Sequence, residues 1–185
     1  TDKVAFLVGD DREAAPLLMY VGEKDTAENA DLLERNGLVG GQLYTWVPDD
    51  DLADTSTFTN EDGEEIDTDD APDPAGFSGT GNSQSGSWVE LDYYRPDLAG
   101  SAVDTNDDGE IQDESGYDAQ GFATQAQQDE LSIDAGGFQF SRPEDVATNP
   151  DDGTQAVLAS TGRGDRFAGD NWGTTYRIDT EFDQS

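Results

Sequence analysis

The feature that most constrains the fold is a series of short apolar runs separated by turn-forming residues. Runs of this length, rich in β-branched and aromatic residues and bounded by Gly, Pro, Asp and Asn, are typical of strands joined by turns. The pattern therefore predicts an all-β, mainly antiparallel fold. The predicted strands cover residues 3–9, 17–21, 42–47, 88–93, 138–140, 155–160 and 174–178.

Helical periodicity is scarce. Residues 30–36 are predicted to form a short helix closed by Gly37, and residues 123–131 a second one. Many strands with few helices favour a propeller or a sandwich over an α/β fold. We expect a single β-rich domain over residues 1–185, with long acidic loops and one or two short helices.

Charge limits the partners and the setting of the chain. There are 43 acidic and 9 basic residues, a formal net charge of −34, and 30 of the acids are Asp. Such a surface repels nucleic acid and anionic membranes, so we expect neither as a partner. High salt, with a screening length of about 3 Å at 1 M, or bound divalent cations would make the charge tolerable. The composition predicts a protein from a high-salt environment.

Residues 48–86 are rich in Asp, Gly, Thr and Ser. This composition predicts an acidic loop or insertion, or an element hidden within it. A disordered acidic segment is the alternative for residues 48–85. The chain also opens at Thr1 directly before an apolar run, from which we expect it to be part of a longer gene product.

The absence of cysteine and histidine restricts the chemistry. Disulfides, thiolate metal sites and a histidine base are excluded. Any reaction must use carboxylates, arginines, hydroxyl groups and bound metal. No apolar stretch approaches the roughly 20 residues that a membrane-spanning helix needs.

Residues 104–115 resemble an EF-hand-like calcium loop, and residues 104–111 match its first eight positions. The position of the final bidentate acid holds Ser115 instead, and the flanking helices are missing. We predict a calcium loop that pins a long connection, while an acidic turn is the alternative. The predicted ligands are Asp104, Asn106, Asp108 and Glu110.

Two further groups carry chemistry. Arg142 and Glu144 flank Pro143, so on an extended chain they share a face, where a guanidinium suits phosphate and a carboxylate suits a hard metal. Asp10 and Asp11 end the first predicted strand, where paired carboxylates favour a cation. The alternatives are a surface ion pair for the first group and a solvated turn for the second.

A third group lies in the loop between the last two predicted strands. Residues 160–165 and 169–173 bring hydroxyls, acids and an amide together. They form either part of a site or a glycine-rich hairpin connection.

The order of the segments resembles a known family. The series VAFLVGDD, APLLMYVGEK, LLERNGL, GQLYTWV, FSRPEDVATNP, LASTGRGD and NWGTTYRI is similar to the PhoX-type alkaline phosphatases, which are secreted and calcium-dependent. The similarity runs through most of residues 3–48 and 136–180. It depends most on FSRPEDVATNP followed by the GDNWGTTYRI-like segment.

The resemblance implies a six-bladed β-propeller with a central site for Ca²⁺ and, in some members, Fe³⁺. It implies hydrolysis of phosphate monoesters in a secreted or periplasmic setting. Glu144 would be a metal ligand, with Asp10 or Asp11 beside it, and Arg142 would contact the phosphate. The chain lacks the cysteine that some members use. Because about seven strands supply only about two blades, the missing blades would come from another chain or from a homo-oligomer.

Two other functions stay open. One is a non-catalytic calcium-binding β domain with a structural or adhesion role, which the acidity and the EF-like loop favour equally. The other is a different propeller hydrolase, of the phytase-like or lactonase-like kind.

Overall fold

The computed structural model describes residues 2–49, 57–59, 65–67, 82–103, 114–162, 170 and 172–181. Within them lie eleven strands and two α-helices, which are numbered in chain order. The helices are α1 (Leu32–Arg35) and α2 (Gln125–Asp134). The strands are β1 (Lys3–Val8), β2 (Ala15–Pro16), β3 (Leu18–Glu23), β4 (Gln42–Pro48), β5 (Thr57–Thr59), β6 (Glu65–Asp67), β7 (Gly86–Glu90), β8 (Gln139–Phe140), β9 (Pro143–Thr148), β10 (Gln155–Ser160) and β11 (Thr174–Asp179).

The strands form two meandering sheets. The first has the order β1-β3-β4-β7 and the second the order β11-β10-β9, with every neighbouring pair antiparallel. Strands β2 and β8 form a separate pair, and so do β5 and β6. The predicted all-β, mainly antiparallel class is therefore confirmed.

Local sequence explains both helices. The Asp31 side chain caps α1 by accepting hydrogen bonds from the backbone N–H groups of Leu33 and Glu34. The Glu34 carboxylate in turn accepts a hydrogen bond from the backbone N–H of Asp31. This capping box stabilises a helix of a single turn, which Gly37 closes with a φ of +68°. Thr124 caps α2 through the N–H of Gln127.

The core lies where the two sheets meet. Four buried side chains form it: Leu17, Phe138, Phe140 and Leu158. Trp46 and Trp88 pack on it from the first sheet, and Val146, Tyr176 and Ile178 pack on it from the second. The segment that carries Phe138 and Phe140 thus contacts both sheets, and it leads through the buried Ser141 to the partly exposed Arg142.

The remaining predictions differ from the structure in detail. Strand β9 begins at Pro143, which was not predicted as part of a strand; proline is tolerated there because a first residue need not donate to the ladder. Strand β7 ends at Glu90, three residues before the predicted strand does. The β5–β6 hairpin lies inside the predicted loop 48–86. Among the described helices, none is long and apolar enough to cross a membrane.

Candidate functional site

The two sequence-distant groups predicted as a site lie next to each other. The loop after β1 packs against the start of β9, because a Cβ atom on Gly9 would lie 2.5 Å from the carbonyl oxygen of Pro143 and 3.4 Å from that of Glu144. Only a residue without a side chain allows this approach. The backbone of the Asp10–Asp11 segment is thus held against the backbone of Arg142 to Glu144.

Asp11 and Arg142 form an ion pair across this contact. Arg142 Nη2 lies 2.8 Å from Asp11 Oδ1 and 2.9 Å from Asp11 Oδ2. Their side chains are 34% and 40% exposed, respectively. The Arg142 backbone is anchored on both sides, since its N–H donates to Ser160 Oγ and its carbonyl accepts from the Thr161 N–H. The guanidinium therefore stands at the surface on a fixed backbone.

Asp10 belongs to a second set of contacts, which involves α2. Arg12 Nε donates to Asp10 over 2.8 Å, and the two terminal nitrogens of Arg12 reach Asp129 over 2.8 and 3.1 Å. Gln125 Nε2 donates to the same Asp10 oxygen over 2.6 Å. The hydrogen bond to Asp129 is the largest cause that raises the pKa of Arg12 above its usual value. We call the five charged residues the acid–arginine network: Asp10, Asp11, Arg12, Asp129 and Arg142.

Glu144 differs from the aspartates of the network. Its side chain is exposed and makes no hydrogen bond or ion pair with the described part of the chain. Among the described residues, no group of three or more Asp, Glu, His or Cys side chains is arranged to hold a metal ion. The described carboxylates therefore supply at most part of a coordination shell.

A shallow depression of about 240 Å³ adjoins the network. Its polar lining comes from Asp10, Arg12, Gln125, Gln128 and Asp129, and its apolar lining from the ends of β1 and β3. A small polar ligand in this depression would meet amide donors from Gln125 and Gln128 and carboxylate acceptors from Asp10 and Asp129.

A separate group of polar side chains is buried below Arg142. Ser141, Ser160 and Asp170 are each at most 4% exposed, and Thr174 Oγ1 donates to Asp170 Oδ1 over 2.8 Å. Burial is the main cause that raises the pKa of Asp170. We call Ser141, Ser160, Asp170 and Thr174 the buried polar cluster.

The predicted calcium loop cannot be compared with the structure in the same way. Its ligands Asp104, Asn106, Asp108 and Glu110 lie outside the described residues. That loop stays a prediction.

Three residues of the site escaped the sequence analysis: Arg12, Gln125 and Asp129. Arg12 had a usable signal, since it is one of only nine basic residues and directly follows two acids. Gln125 and Asp129 had none, because their partners lie 115 and 117 residues away along the chain.

Comparison with known proteins adds no relative. No family model, curated protein or solved structure matches the chain.

Proposed function

We propose that the chain is part of a metal-dependent phosphomonoester hydrolase of the PhoX type. The single observation that carries the proposal is the contact between Asp11 and Arg142. The two residues are 131 positions apart in sequence, and the sequence predicts both as site residues. The two antiparallel meanders are compatible with neighbouring blades of a six-bladed propeller.

The Asp11–Arg142 pair suits such a site because each side chain can release the other and bind part of a ligand instead: Asp11 a cation and Arg142 a phosphate group. A carboxylate binds a hard cation, and a guanidinium binds two phosphate oxygens through its planar donors. When a metal and a phosphate monoester enter together, both charges stay compensated. The pair therefore keeps the two groups in place and neutral until a substrate arrives.

The residues fit calcium in ligand type and fall short in number. Carboxylate oxygens are what Ca²⁺ prefers, and carbonyl oxygens and water can complete its shell. Asp11 and Glu144 would hold the ion, since Asp10 is engaged by Arg12 and Gln125. The bound metal would polarise the phosphoryl group and lower the pKa of an attacking water. Arg142 would orient the phosphate and compensate its charge.

The proposed setting follows the composition. An enzyme with a net charge of −34 would work in high salt, secreted or periplasmic, and would complete its propeller with further blades from its own or another chain. Ca²⁺, with Fe³⁺ in addition, is the proposed cofactor set.

The alternative is a non-catalytic calcium-binding β domain. The observations that favour it are the net charge of −34 and the EF-like pattern of residues 104–115. Such a domain would bind calcium through the EF-like loop and would leave the Asp11–Arg142 pair as a structural tie between β1 and β9.

Hydrolysis of p-nitrophenyl phosphate in molar NaCl, with CaCl₂ and FeCl₃ added, tests the proposal. We expect metal-dependent turnover that falls about 10- to 100-fold in Arg142→Lys and in Glu144→Gln, the scale of one lost charge-assisted contact. Asp145→Asn is the matched control, because Asp145 is the next residue of β9 and is also an exposed acid.

Two outcomes would decide against the phosphatase. If calcium raises the unfolding temperature without any turnover, the calcium-binding domain is the better description. If turnover is equal in Glu144→Gln and Asp145→Asn, Glu144 is not a ligand of the reacting centre. A panel of phytate and lactone substrates separates the other propeller hydrolases.

A further inference from the structure

The buried polar cluster contains a carboxylate that is not paired with any described arginine or lysine. Asp170 is 4% exposed and Ser141 is fully buried. Asp170 lies just before β11, and Ser141 lies between β8 and β9. Burying an ionised carboxylate is costly unless a proton, a hydrogen-bond donor or a cation compensates it.

One of the two Asp170 carboxylate oxygens has a hydrogen-bond donor. Oδ1 accepts from Thr174 Oγ1, whereas Oδ2 has no hydrogen-bond partner in the described part of the chain. Ser141 Oγ also lacks one there, although its hydroxyl is close enough to lower the pKa of Asp170 against the larger effect of burial. Both oxygens are buried, and neither has a partner of good hydrogen-bond geometry among the described residues.

The described basic side chains nearest in sequence to Ser141 and Asp170 form ion pairs with other acids. Arg142, the residue after Ser141, pairs with Asp11. Arg177, on β11, pairs with Asp179. No described arginine or lysine side chain is paired with Asp170.

The backbone around the cluster adds oxygen. A Cβ atom on Gly162 would collide with the carbonyl oxygen of Asp170, and one on Gly173 would collide with that of Ser160. Both glycines have positive φ, at +81° and +77°. The chain therefore crosses itself closely at this point, next to Asp170 and Ser160 in sequence.

We propose that Asp170 Oδ2 and Ser141 Oγ hold one hard monovalent cation, Na⁺, inside the protein. The ligand types are oxygen only, which selects a hard ion. The charge selects a monovalent one, because a single carboxylate neutralises Na⁺ and would leave one positive charge of Ca²⁺ buried without compensation. The site is independent of the proposed phosphatase.

Thermal unfolding in NaCl and in choline chloride at equal ionic strength tests the proposal. Screening is the same in both salts, so a higher midpoint in NaCl reports binding to the folded state. We expect this difference in the parent chain and in the control Asp145→Asn. It should vanish in Asp170→Asn and fall by at least half in Ser141→Ala.

Equal NaCl-minus-choline differences in all four chains would overturn the site, and Asp170 would then be an acid that stays protonated. A larger stabilisation by millimolar CaCl₂, lost in Asp170→Asn, would overturn the choice of a monovalent ion. Should Asp170→Asn fail to fold, ²³Na relaxation decides between parent and Ser141→Ala: saturable broadening must be present in the first and weakened in the second. Unchanged or absent broadening contradicts the proposal.

Discussion

The carboxylates of the acid–arginine network and of the buried polar cluster differ in exposure to water and in their described partners. In the network, Asp10, Asp11 and Asp129 are partly exposed and each contacts an arginine. In the cluster, Asp170 is buried and receives only a hydroxyl donor on one oxygen. With nine basic residues for 43 acids, the positions of the few positive charges decide which carboxylates are compensated.

The two regions are joined through consecutive residues. Ser141 belongs to the cluster and Arg142 to the network, and neighbours on an extended chain face opposite sides. The same backbone segment therefore presents a hydroxyl to the interior and a guanidinium to the surface. The comparison teaches that a scarce cationic side chain goes where its own charge keeps some contact with water.

The largest expected effect comes from the core on which both regions depend. Leu158 is fully buried, so Leu158→Ala should lower the free energy of unfolding by about 2–5 kcal/mol. Val157→Ala on the same strand changes an exposed side chain and should stay within about 0.5 kcal/mol. Urea unfolding in molar NaCl measures both, and equal effects would show that Leu158 does not join the sheets.

The next effect concerns the contact that brings the network together. Gly9→Ala places a methyl group against the Pro143 carbonyl and should lower the free energy of unfolding by about 1–3 kcal/mol. Gly153→Ala is the control, because nothing lies within 4 Å of its added Cβ. Urea unfolding of both variants checks the prediction, and an unchanged Gly9→Ala variant would mean that β1 and β9 are not packed as described.

A smaller effect distinguishes the two kinds of carboxylate by pH. Burial raises the pKa of Asp170, so in choline chloride its contribution to stability is full below the unfolded-state pKa, near 3.9, and is lost as pH rises through the folded-state pKa. Asp170→Asn should therefore be the more stable chain at pH 8, by about 1–3 kcal/mol. The difference between the two chains should shrink on acidification.

The stability contribution of Asp152 should depend on pH in the opposite direction to that of Asp170. The Thr154 hydroxyl and N–H lower the pKa of Asp152, so its contribution is present above the unfolded-state pKa and is lost as pH falls through the folded-state pKa. Asp152→Asn should lose stability relative to the parent at neutral pH and converge with it in acid. Slopes of the same sign for both variants would refute the contrast.

The smallest effect compares two arginines. Arg12 bridges Asp10 and Asp129 and is only 38% exposed, so Arg12→Ala should cost about 1 kcal/mol of unfolding free energy. Arg177 forms a single exposed pair with Asp179, so Arg177→Ala should cost less than about 0.5 kcal/mol. Denaturation at low and molar salt ranks the two, and a reversed order would mean that the network contributes no stability.

Much of the secondary structure was predictable because its signals are local. The runs that became β1, β3, β4, β10 and β11 combine apolar and β-branched residues between turn signals, and their predicted bounds agree closely with the structure. The end of β7 was wrong because an alternating pattern can continue past the last paired residue. Strand β9 was missed because Pro143 is locally a strand breaker, although a first position accepts it.

The candidate site was predictable only in its residue types. Arg142, Glu144 and the Asp10–Asp11 pair stood out because arginine is rare and paired acids after an apolar run are costly. The sequence did not predict which acid pairs with which arginine. Asp11, and not Asp10, pairs with Arg142, whereas Asp10 accepts hydrogen bonds from Arg12 and Gln125.

The sequence by itself determined the all-β class, most strand positions, the end of the first helix at Gly37 and the excess of negative charge, since each follows from neighbours along the chain or from simple counting. The tertiary structure alone decided which of the described carboxylates pair with an arginine and that Asp170 is buried. The physical reason is that an ion pair needs two side chains within a few ångströms, and here those side chains are more than a hundred residues apart. They meet because the segment after β1 contacts both helix α2 and the start of β9.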